Sequence, residues 1–144
     1  CMGVGIPFAI GAKLARPDRP VVSVNGDSAF GFNGMEMETS IRAGAPVIFV
    51  VDNNEGIMGG ILNGRMFKSG YSERVAMYQP GIRYDKIIEA FGGYGENVET
   101  PDQVRPALER AFASGTSACI NVRVDPEAIF PVPTAGRASS LMGY

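Results

Sequence analysis

The segment VVSVNGDS, residues 21–28, begins as a short apolar strand and ends in an acidic turn. Val favours strands because its branched side chain packs well on a pleated surface. A second apolar run, VIFVV at residues 47–51, is typical of a strand buried on both faces of a parallel sheet. It leads to Asn53-Asn54-Glu55-Gly56. Because the carboxyl ends of parallel strands meet at one crevice, we expect the two polar segments to lie together.

The side chains expected at this crevice have the chemistry of a magnesium site. Asp27 offers a carboxylate and Asn54 offers an amide oxygen. Mg²⁺ prefers hard oxygen ligands of this kind, and it usually takes few of them from the protein and the others from phosphate and water. The two segments therefore predict a site for a magnesium-bridged diphosphate. Gly-Asp-Ser alone is commonly just a turn, so the paired Asn residues carry this interpretation.

Helix and strand signals alternate along the chain and predict an α/β fold with a mostly parallel sheet flanked by helices on both faces. Thr100, Pro101 and Gln103 have the spacing of a capping box with Pro at the first helical position. Gly92-Gly93 is expected to end the preceding helix. The predicted helices are 8–15, 35–42, 84–91 and 100–114, and the predicted strands are 21–24, 47–51, 95–98 and 118–124.

Length and composition indicate one domain and exclude several classes of function. The 144 residues suit a domain at 1–130 followed by a Pro-, Gly- and Ser-rich tail at 131–144. A formal charge of -2 and the lack of a basic stripe argue against nucleic acid binding. The longest apolar run is too short to cross a membrane. Cys1 and Cys119 are isolated thiols, which favours a cytoplasmic protein without a disulfide framework.

Three further features bear on function. The chain opens on Cys1, so we expect it to be the C-terminal part of a longer polypeptide. It contains no His, so acid–base chemistry has to use carboxylates, Tyr, a cofactor or another domain. The tail carries Leu141, Met142 and Tyr144, for which an active-site lid and a disordered terminus are two open interpretations.

The polar segments resemble a known signature. Residues 26–36 read GDSAFGFNGME, and Asn53-Asn54-Glu55-Gly56-Ile57 follows the next predicted strand. Together they look like the diphosphate-binding motif of thiamine diphosphate enzymes. The form with Ser28, where many relatives have another Gly, resembles the coenzyme A branch, which contains the oxalyl-CoA decarboxylases and 2-hydroxyacyl-CoA lyases. The resemblance covers essentially the whole chain, including residues 2–5 and 83–93.

The resemblance implies a thiamine diphosphate-binding fold with Mg²⁺ and a defined set of site residues. The implied Mg²⁺ ligands are the side chains of Asp27 and Asn54 and the carbonyl of Gly56. The segment Gly26, Asp27, Ser28 and Ala29 would bind the diphosphate. The remaining cofactor contacts would come from Met2 and Gly3 at the aminopyrimidine ring and from Ile57 and Met58 near the thiazolium. The family's activating Glu lies in another domain and is not assigned in this chain.

Glu55 is the predicted catalytic residue. It directly follows Asn54, and the resemblance implies that oxalyl-CoA decarboxylases have Gly at this position. A lyase has to move the proton of its substrate's 2-hydroxyl, whereas a decarboxylase of oxalyl-CoA has no such hydroxyl. Because the chain lacks His, Glu55 is the best-placed group for this task. A solvated loop carboxylate and a partner of the metal site are the alternatives.

The implied activity is the reversible cleavage of a 2-hydroxyacyl-CoA into formyl-CoA and an aldehyde or ketone. Oxalyl-CoA decarboxylase and an acetohydroxyacid synthase-like carboligase are the enzyme alternatives. A non-catalytic, nucleotide-binding α/β module is the alternative from another class, although Gly3-Val4-Gly5 has no preceding strand in this chain. The implied partners are an acyl-CoA substrate, N-terminal domains of the same polypeptide, and a second copy in a homodimer or homotetramer.

Overall fold

A computed structural model describes residues 1–57, 76–126 and 128, and these residues form an α/β domain. The helices are α1 (Gly5–Ala15), α2 (Asp27–Asn33), α3 (Met37–Arg42), α4 (Asp85–Ala90) and α5 (Pro101–Ala113). A single 3₁₀ turn, Gly34–Glu36, joins α2 to α3. The strands are β1 (Val22–Gly26), β2 (Ile48–Asn53), β3 (Tyr94–Val98) and β4 (Ala118–Arg123).

The four strands form one parallel sheet in the order β1-β2-β4-β3. The predicted mostly parallel sheet is confirmed, and β3 lies at an edge as expected. In the register, Gly26 at the end of β1 lies beside Asp52 on β2. Because β4 inserts between β2 and β3, Asn121 aligns with Val51 on one side and Asn97 on the other. The carboxyl ends of all four strands therefore share one edge.

Apolar cores on both faces of the sheet confirm the predicted helical layers. On one face, Phe49 and Val51 of β2 pack in a cluster with Ile6 of α1, Phe30 of α2 and Ile88 of α4. On the other face, Ile48 and Ile120 pack with residues of α5, namely Ala107 and Ala111. Neighbouring residues of β2 thus enter opposite cores, as the alternation of side chains along a strand requires.

The predicted helix at 35–42 is confirmed by the 3₁₀ turn and α3, and the largest difference from the sequence-based expectation is the additional helix α2 before it. Helical structure begins earlier, at Asp27, directly after β1. Asp27 accepts the Ser28 N–H at 2.6 Å and places an acidic group in the first turn, where the helix dipole favours it. Helix propensity does not predict this helix because Gly31 and Gly34 lie in or next to it, and Gly is a poor helix former. At Gly34 a Cβ would lie 2.6 Å from the Phe30 ring, so the absence of a side chain permits the 3₁₀ turn.

The predicted ends of the last two helices are confirmed. Gln103 accepts the N–H groups of Thr100 at 3.3 Å and Glu99 at 2.9 Å, which is one half of the expected capping box. Gly92 follows α4 with a φ of 87°, a left-handed conformation that Gly adopts without strain. These local signals set where α4 ends and α5 begins.

Several predicted features lie outside the described residues. They are Met58 and the tail at 131–144 with its Leu141, Met142 and Tyr144. Among the residues that are described, no helix has the length and apolar character needed to cross a membrane.

We expect Gln103→Ala to loosen the start of α5. The change removes the acceptor for two backbone N–H groups, and one hydrogen bond contributes about 1 kcal/mol. Native-state hydrogen exchange at the first turn of α5 should therefore become about fivefold faster. Glu109→Ala, in the same helix, is the control because it removes only an exposed ion pair with Arg105. Equal exchange in the two variants would contradict the role of the cap.

Candidate functional site

Asp27 brings the two predicted polar segments together. Its side chain lies at the end of β1 and is 2% exposed. One carboxylate oxygen, Oδ1, accepts the Ser28 N–H at 2.6 Å, and the other, Oδ2, accepts the Gly56 N–H at 3.0 Å. Residues that are 29 positions apart in the chain therefore meet at one buried carboxylate. This is the juxtaposition that the strand-end argument predicts.

The charge of Asp27 is poorly solvated. Burial raises the pKa of this carboxyl above its usual range, and the N–H groups of Gly56 and Ser28 oppose that shift only in part. Burial and the nearby charge of Asp27 also raise the pKa of Tyr84 to about 12, so its phenol stays protonated at neutral pH. A positive charge beside Asp27 would favour its ionised form, as an opposite charge does for any carboxylate.

The two adjacent Asn residues of the second segment have different environments. Asn53 is 1% exposed, and its Oδ1 accepts the Glu55 N–H at 3.2 Å. Asn54 is only partly buried. Glu55 has a φ of 61°, which is uncommon for a residue with a side chain. Asn53 thus stabilises the turn, and the sequence-based assignment of Asn54 as the ligand is compatible with this division.

Residues 76–78 form backbone hydrogen bonds with the turn that contains Gly56. Ile57 N–H donates to the Ala76 carbonyl at 2.8 Å, and Tyr78 N–H donates to the Glu55 carbonyl at 2.8 Å. A Cβ on Gly56 would lie 2.6 Å from the Ala76 carbonyl oxygen, so a side chain there would collide with backbone. The Tyr78 hydroxyl lies 3.1 Å from the Ser28 hydroxyl. Sequence reasoning missed Tyr78, since an aromatic residue in an irregular segment carries no local signal of its partner.

Gly3 packs against the C-terminal end of α2. The Gly3 carbonyl accepts a hydrogen bond from Asn33 Nδ2 at 2.8 Å, and a Cβ on Gly3 would lie 2.7 Å from Phe32 Cβ. Asp27 begins the same helix, whose seven residues span about 10 Å. Met2 is 55% exposed. Gly3 therefore lies at the opposite end of α2 from Asp27.

Of the other predicted cofactor residues, Gly26, Ser28 and Ala29 adjoin Asp27 in the sequence, and Ile57 follows Gly56. Gly26 is the N-cap of α2, and the space where its Cβ would project is open for 4 Å. Ser28 is buried, Ala29 is partly buried, and Ile57 is 37% exposed. The Ser28 N–H donates to Asp27 Oδ1 within the chain.

The Glu55 carboxylate is directed at two partners within the chain. It accepts the Gly81 N–H at 2.9 Å and lies 3.3 Å from the Arg123 guanidinium. Its side chain is 16% exposed. Both contacts connect the turn to other parts of the chain, namely the segment before α4 and the end of β4.

The donor set fits a magnesium ion shared with a diphosphate. In the part of the chain that the structure describes, no three acidic, Cys or His groups cluster to hold a metal. The candidate ligands are instead one buried carboxylate, one amide and one carbonyl. Such a set leaves Mg²⁺ with residual positive charge and open positions, which phosphate oxygens and water can fill.

Comparison with known proteins agrees with this geometry. Residues 1–122 match the model of the family described as thiamine pyrophosphate enzyme, C-terminal TPP binding domain. The chain is 50% identical over 131 residues to the acetolactate synthase large subunit IlvG of Mycobacterium tuberculosis, covering 91% of this chain and 24% of that protein. It is 47% identical over 128 residues to a 2-hydroxyacyl-CoA lyase of Arabidopsis thaliana, covering 87% of this chain and 22% of that protein.

A third relative extends the range of named activities. The chain is 42% identical over 127 residues to an oxalyl-CoA decarboxylase of Escherichia coli strain K12, covering 88% of this chain and 22% of that protein. It therefore spans about a quarter of the length of the curated relatives that it matches. With a family match over most of its length and Asp27 and Gly56 joined at the ends of neighbouring strands, the chain belongs to the thiamine pyrophosphate enzyme family, as its C-terminal TPP-binding domain.

Proposed function

We propose that the chain is the diphosphate-binding domain of a thiamine diphosphate- and Mg²⁺-dependent 2-hydroxyacyl-CoA lyase. The single observation that carries the cofactor part is the hydrogen bond from Gly56 N–H to the buried Asp27 carboxylate. It joins the two halves of the signature at the carboxyl edge of the sheet, where open α/β sheets bind ligands. The family membership supports the same cofactor.

Each site residue has a role in this proposal. The Mg²⁺ ligands are the side chains of Asp27 and Asn54 and the carbonyl of Gly56. The diphosphate is bound by the segment Gly26, Asp27, Ser28 and Ala29. The organic rings are contacted by Met2, Gly3, Ile57 and Met58. Thiamine diphosphate, when bound, would supply the nucleophilic carbon and accept the electrons left by carbon–carbon cleavage.

We expect Asp27→Ala to abolish Mg²⁺-dependent binding of thiamine diphosphate to the full-length protein. The change removes the one carboxylate among the proposed ligands, and with it most of the negative charge that the protein presents to the ion. Calorimetric titration with thiamine diphosphate at fixed Mg²⁺ measures this loss. Asp52→Ala is the matched control, since Asp52 is exposed near the end of β2. Unchanged affinity in Asp27→Ala would contradict the site.

The substrate part of the proposal is supported by sequence likeness. The GDSAFGF form of the motif resembles the coenzyme A branch, and 2-hydroxyacyl-CoA lyases of several organisms are among the relatives. A carboligase that makes acetolactate is the second candidate, because relatives with that name reach 50% identity. Oxalyl-CoA decarboxylase is the third.

An assay of the full-length protein separates these candidates. With thiamine diphosphate and Mg²⁺ present, we expect formyl-CoA and an aldehyde or ketone from 2-hydroxyacyl-CoA substrates. Turnover on these substrates should exceed acetolactate formation from pyruvate and CO₂ release from oxalyl-CoA by at least about tenfold, the ratio of a 1.4 kcal/mol preference. Faster acetolactate formation would replace the lyase with the carboligase. Binding of the cofactor with none of the three activities would favour a non-catalytic relative.

We propose Glu55 as the group that moves the proton of the substrate's 2-hydroxyl. It stands between Asn54 and Gly56 in the turn that Asp27 holds. The Gly81 N–H and Arg123 hold its carboxylate in a fixed position, and a positioned carboxylate can accept a proton. The same contacts also fit a clamp that holds the turn, so the two roles require separate measurements.

Glu55→Gln distinguishes the two roles. Gln keeps an acceptor for the Gly81 N–H but cannot accept a proton, and positioned acid–base groups contribute roughly a hundred- to ten-thousand-fold. We expect lyase turnover to fall at least about tenfold while thiamine diphosphate affinity stays near wild type. Glu99→Gln is the control, because Glu99 also lies beside Arg123 and is more exposed. If turnover of Glu55→Gln stays within about twofold of wild type, Glu55 only stabilises the turn and does not move the proton.

The proposal includes further parts of the protein. N-terminal domains of the same polypeptide, and a second copy in a homodimer or homotetramer, would complete the site. Large apolar side chains support such contacts, since clusters of exposed apolar groups mark interfaces. They lie on α1, on α2 and in the adjoining turns: Met2, Phe8, Phe32 and Met35. A cytoplasmic location remains part of the proposal.

A further inference from the structure

Three Asn side chains form a continuous hydrogen-bonded chain across the carboxyl end of the sheet. Asn53 Nδ2 of β2 donates to Asn121 Oδ1 of β4 at 3.1 Å. Asn121 Nδ2 donates to Asn97 Oδ1 of β3 at 2.7 Å. The Ile82 carbonyl, before α4, accepts from both Asn53 and Asn121, at 3.1 and 3.3 Å. The chain of amides therefore joins three strands and the segment that enters α4.

The same chain closes into a ring through charged groups. Asn97 Nδ2 donates to Glu99 Oε1 at 3.2 Å, and Glu99 lies 3.7 Å from the Arg123 guanidinium. Arg123 in turn lies 3.3 Å from the Glu55 carboxylate. The Glu55 N–H then donates to Asn53 Oδ1 at 3.2 Å, which returns the ring to β2. We call these six residues the polar ring: Asn53, Glu55, Asn97, Glu99, Asn121 and Arg123.

Asn121 is the centre of this arrangement and is fully buried. It is 0% exposed and follows Ala118, Cys119 and Ile120, which are equally buried and apolar. An isolated amide at such a position would cost about 1–3 kcal/mol, so an apolar residue would be the simpler choice for stability alone. Fully satisfied polar networks in a core favour one geometry over others. The geometry that Asn121 favours is that of Asn53, its neighbour on β2.

Asn53 transmits this constraint to the proposed metal site. Its Oδ1 holds the Glu55 N–H, where the backbone adopts the uncommon φ of 61°. That conformation directs the next N–H, of Gly56, to Asp27 Oδ2. We infer that Asn121 is a positioning residue: through Asn53 it holds the Asn54–Gly56 turn in the conformation that binds Mg²⁺. The inference rests on the proposed function and concerns how the site is held, since Asn121 itself touches no proposed ligand.

A purely structural role for Asn121 is the alternative, and Ser117 provides the comparison. Ser117 lies directly before β4 and is 1% exposed. Its hydroxyl accepts from Ser40 Oγ at 2.8 Å and lies 3.4 Å from the Val47 N–H. Ser117 and Asn121 are thus buried polar residues, one directly before β4 and the other within it. Only Asn121 is linked to the Gly56 turn by hydrogen bonds.

The test compares Asn121→Ala with Ser117→Ala in the full-length protein. Thermal unfolding without ligand should show that both variants lose stability. Calorimetric titration of thiamine diphosphate over a series of Mg²⁺ concentrations should show that only Asn121→Ala needs more Mg²⁺. The expected increase in half-saturating Mg²⁺ is about 10- to 100-fold, the range found when partners of metal ligands are removed. High Mg²⁺ should restore cofactor binding to Asn121→Ala.

Other outcomes overturn the inference. Half-saturating Mg²⁺ within about twofold of wild type in Asn121→Ala would do so, and so would an equal increase in Ser117→Ala. If Asn121→Ala does not fold, Asn97→Ala applies the same test at a half-buried position of the polar ring. If the wild-type protein shows no Mg²⁺-dependent binding of thiamine diphosphate, the proposed function itself is wrong, whatever the variants show. A wild-type protein that binds, with unaffected variants, would overturn only the positioning role.

Discussion

The hydrogen bond between the Gly56 N–H and the buried Asp27 carboxylate is the constraint on which the rest of the site depends. It requires β1 and β2 to be parallel neighbours, so that both strand ends reach the same edge. It also depends on the left-handed backbone at Glu55, and the Ala76 carbonyl leaves no room for a side chain on Gly56. A buried carboxylate is costly without a compensating charge, which is why we propose a cation beside Asp27.

The candidate site supports the family assignment more directly than it supports a choice of substrate. Relatives named as acetolactate synthase, 2-hydroxyacyl-CoA lyase and oxalyl-CoA decarboxylase share 42–50% identity with this one domain. In the proposed function, the motif around Asp27 binds what a common cofactor presents, namely a diphosphate and its metal. This chain is about a quarter of the length of those proteins, so most of each relative lies outside the shared domain. A shared fold therefore does not decide between the three activities.

The sequence by itself determined the features that depend on near neighbours in the chain. All four strands, the caps of α4 and α5 and the buried cores follow from residue types at short spacing. The meeting of Asp27 with the Gly56 turn was also predictable, because parallel strands place their carboxyl ends at one edge. The start of α2 at Asp27 was not, since Gly31 and Gly34 weaken its helical signal while tertiary packing of Phe30 stabilises it.

Only the tertiary structure decided which polar groups serve the site and which hold it. Asn53 and Asn54 are identical in type, but only the fold brings the Asn53 side chain to Asn121 on the neighbouring strand β4, 68 residues away. Tyr78 reaches Ser28 over a separation of 50 residues. Such contacts depend on strand order, here on β4 lying between β2 and β3, and no local periodicity encodes strand order. Hydrogen bonding is directional and short in range, so these roles appear only once the chain is folded.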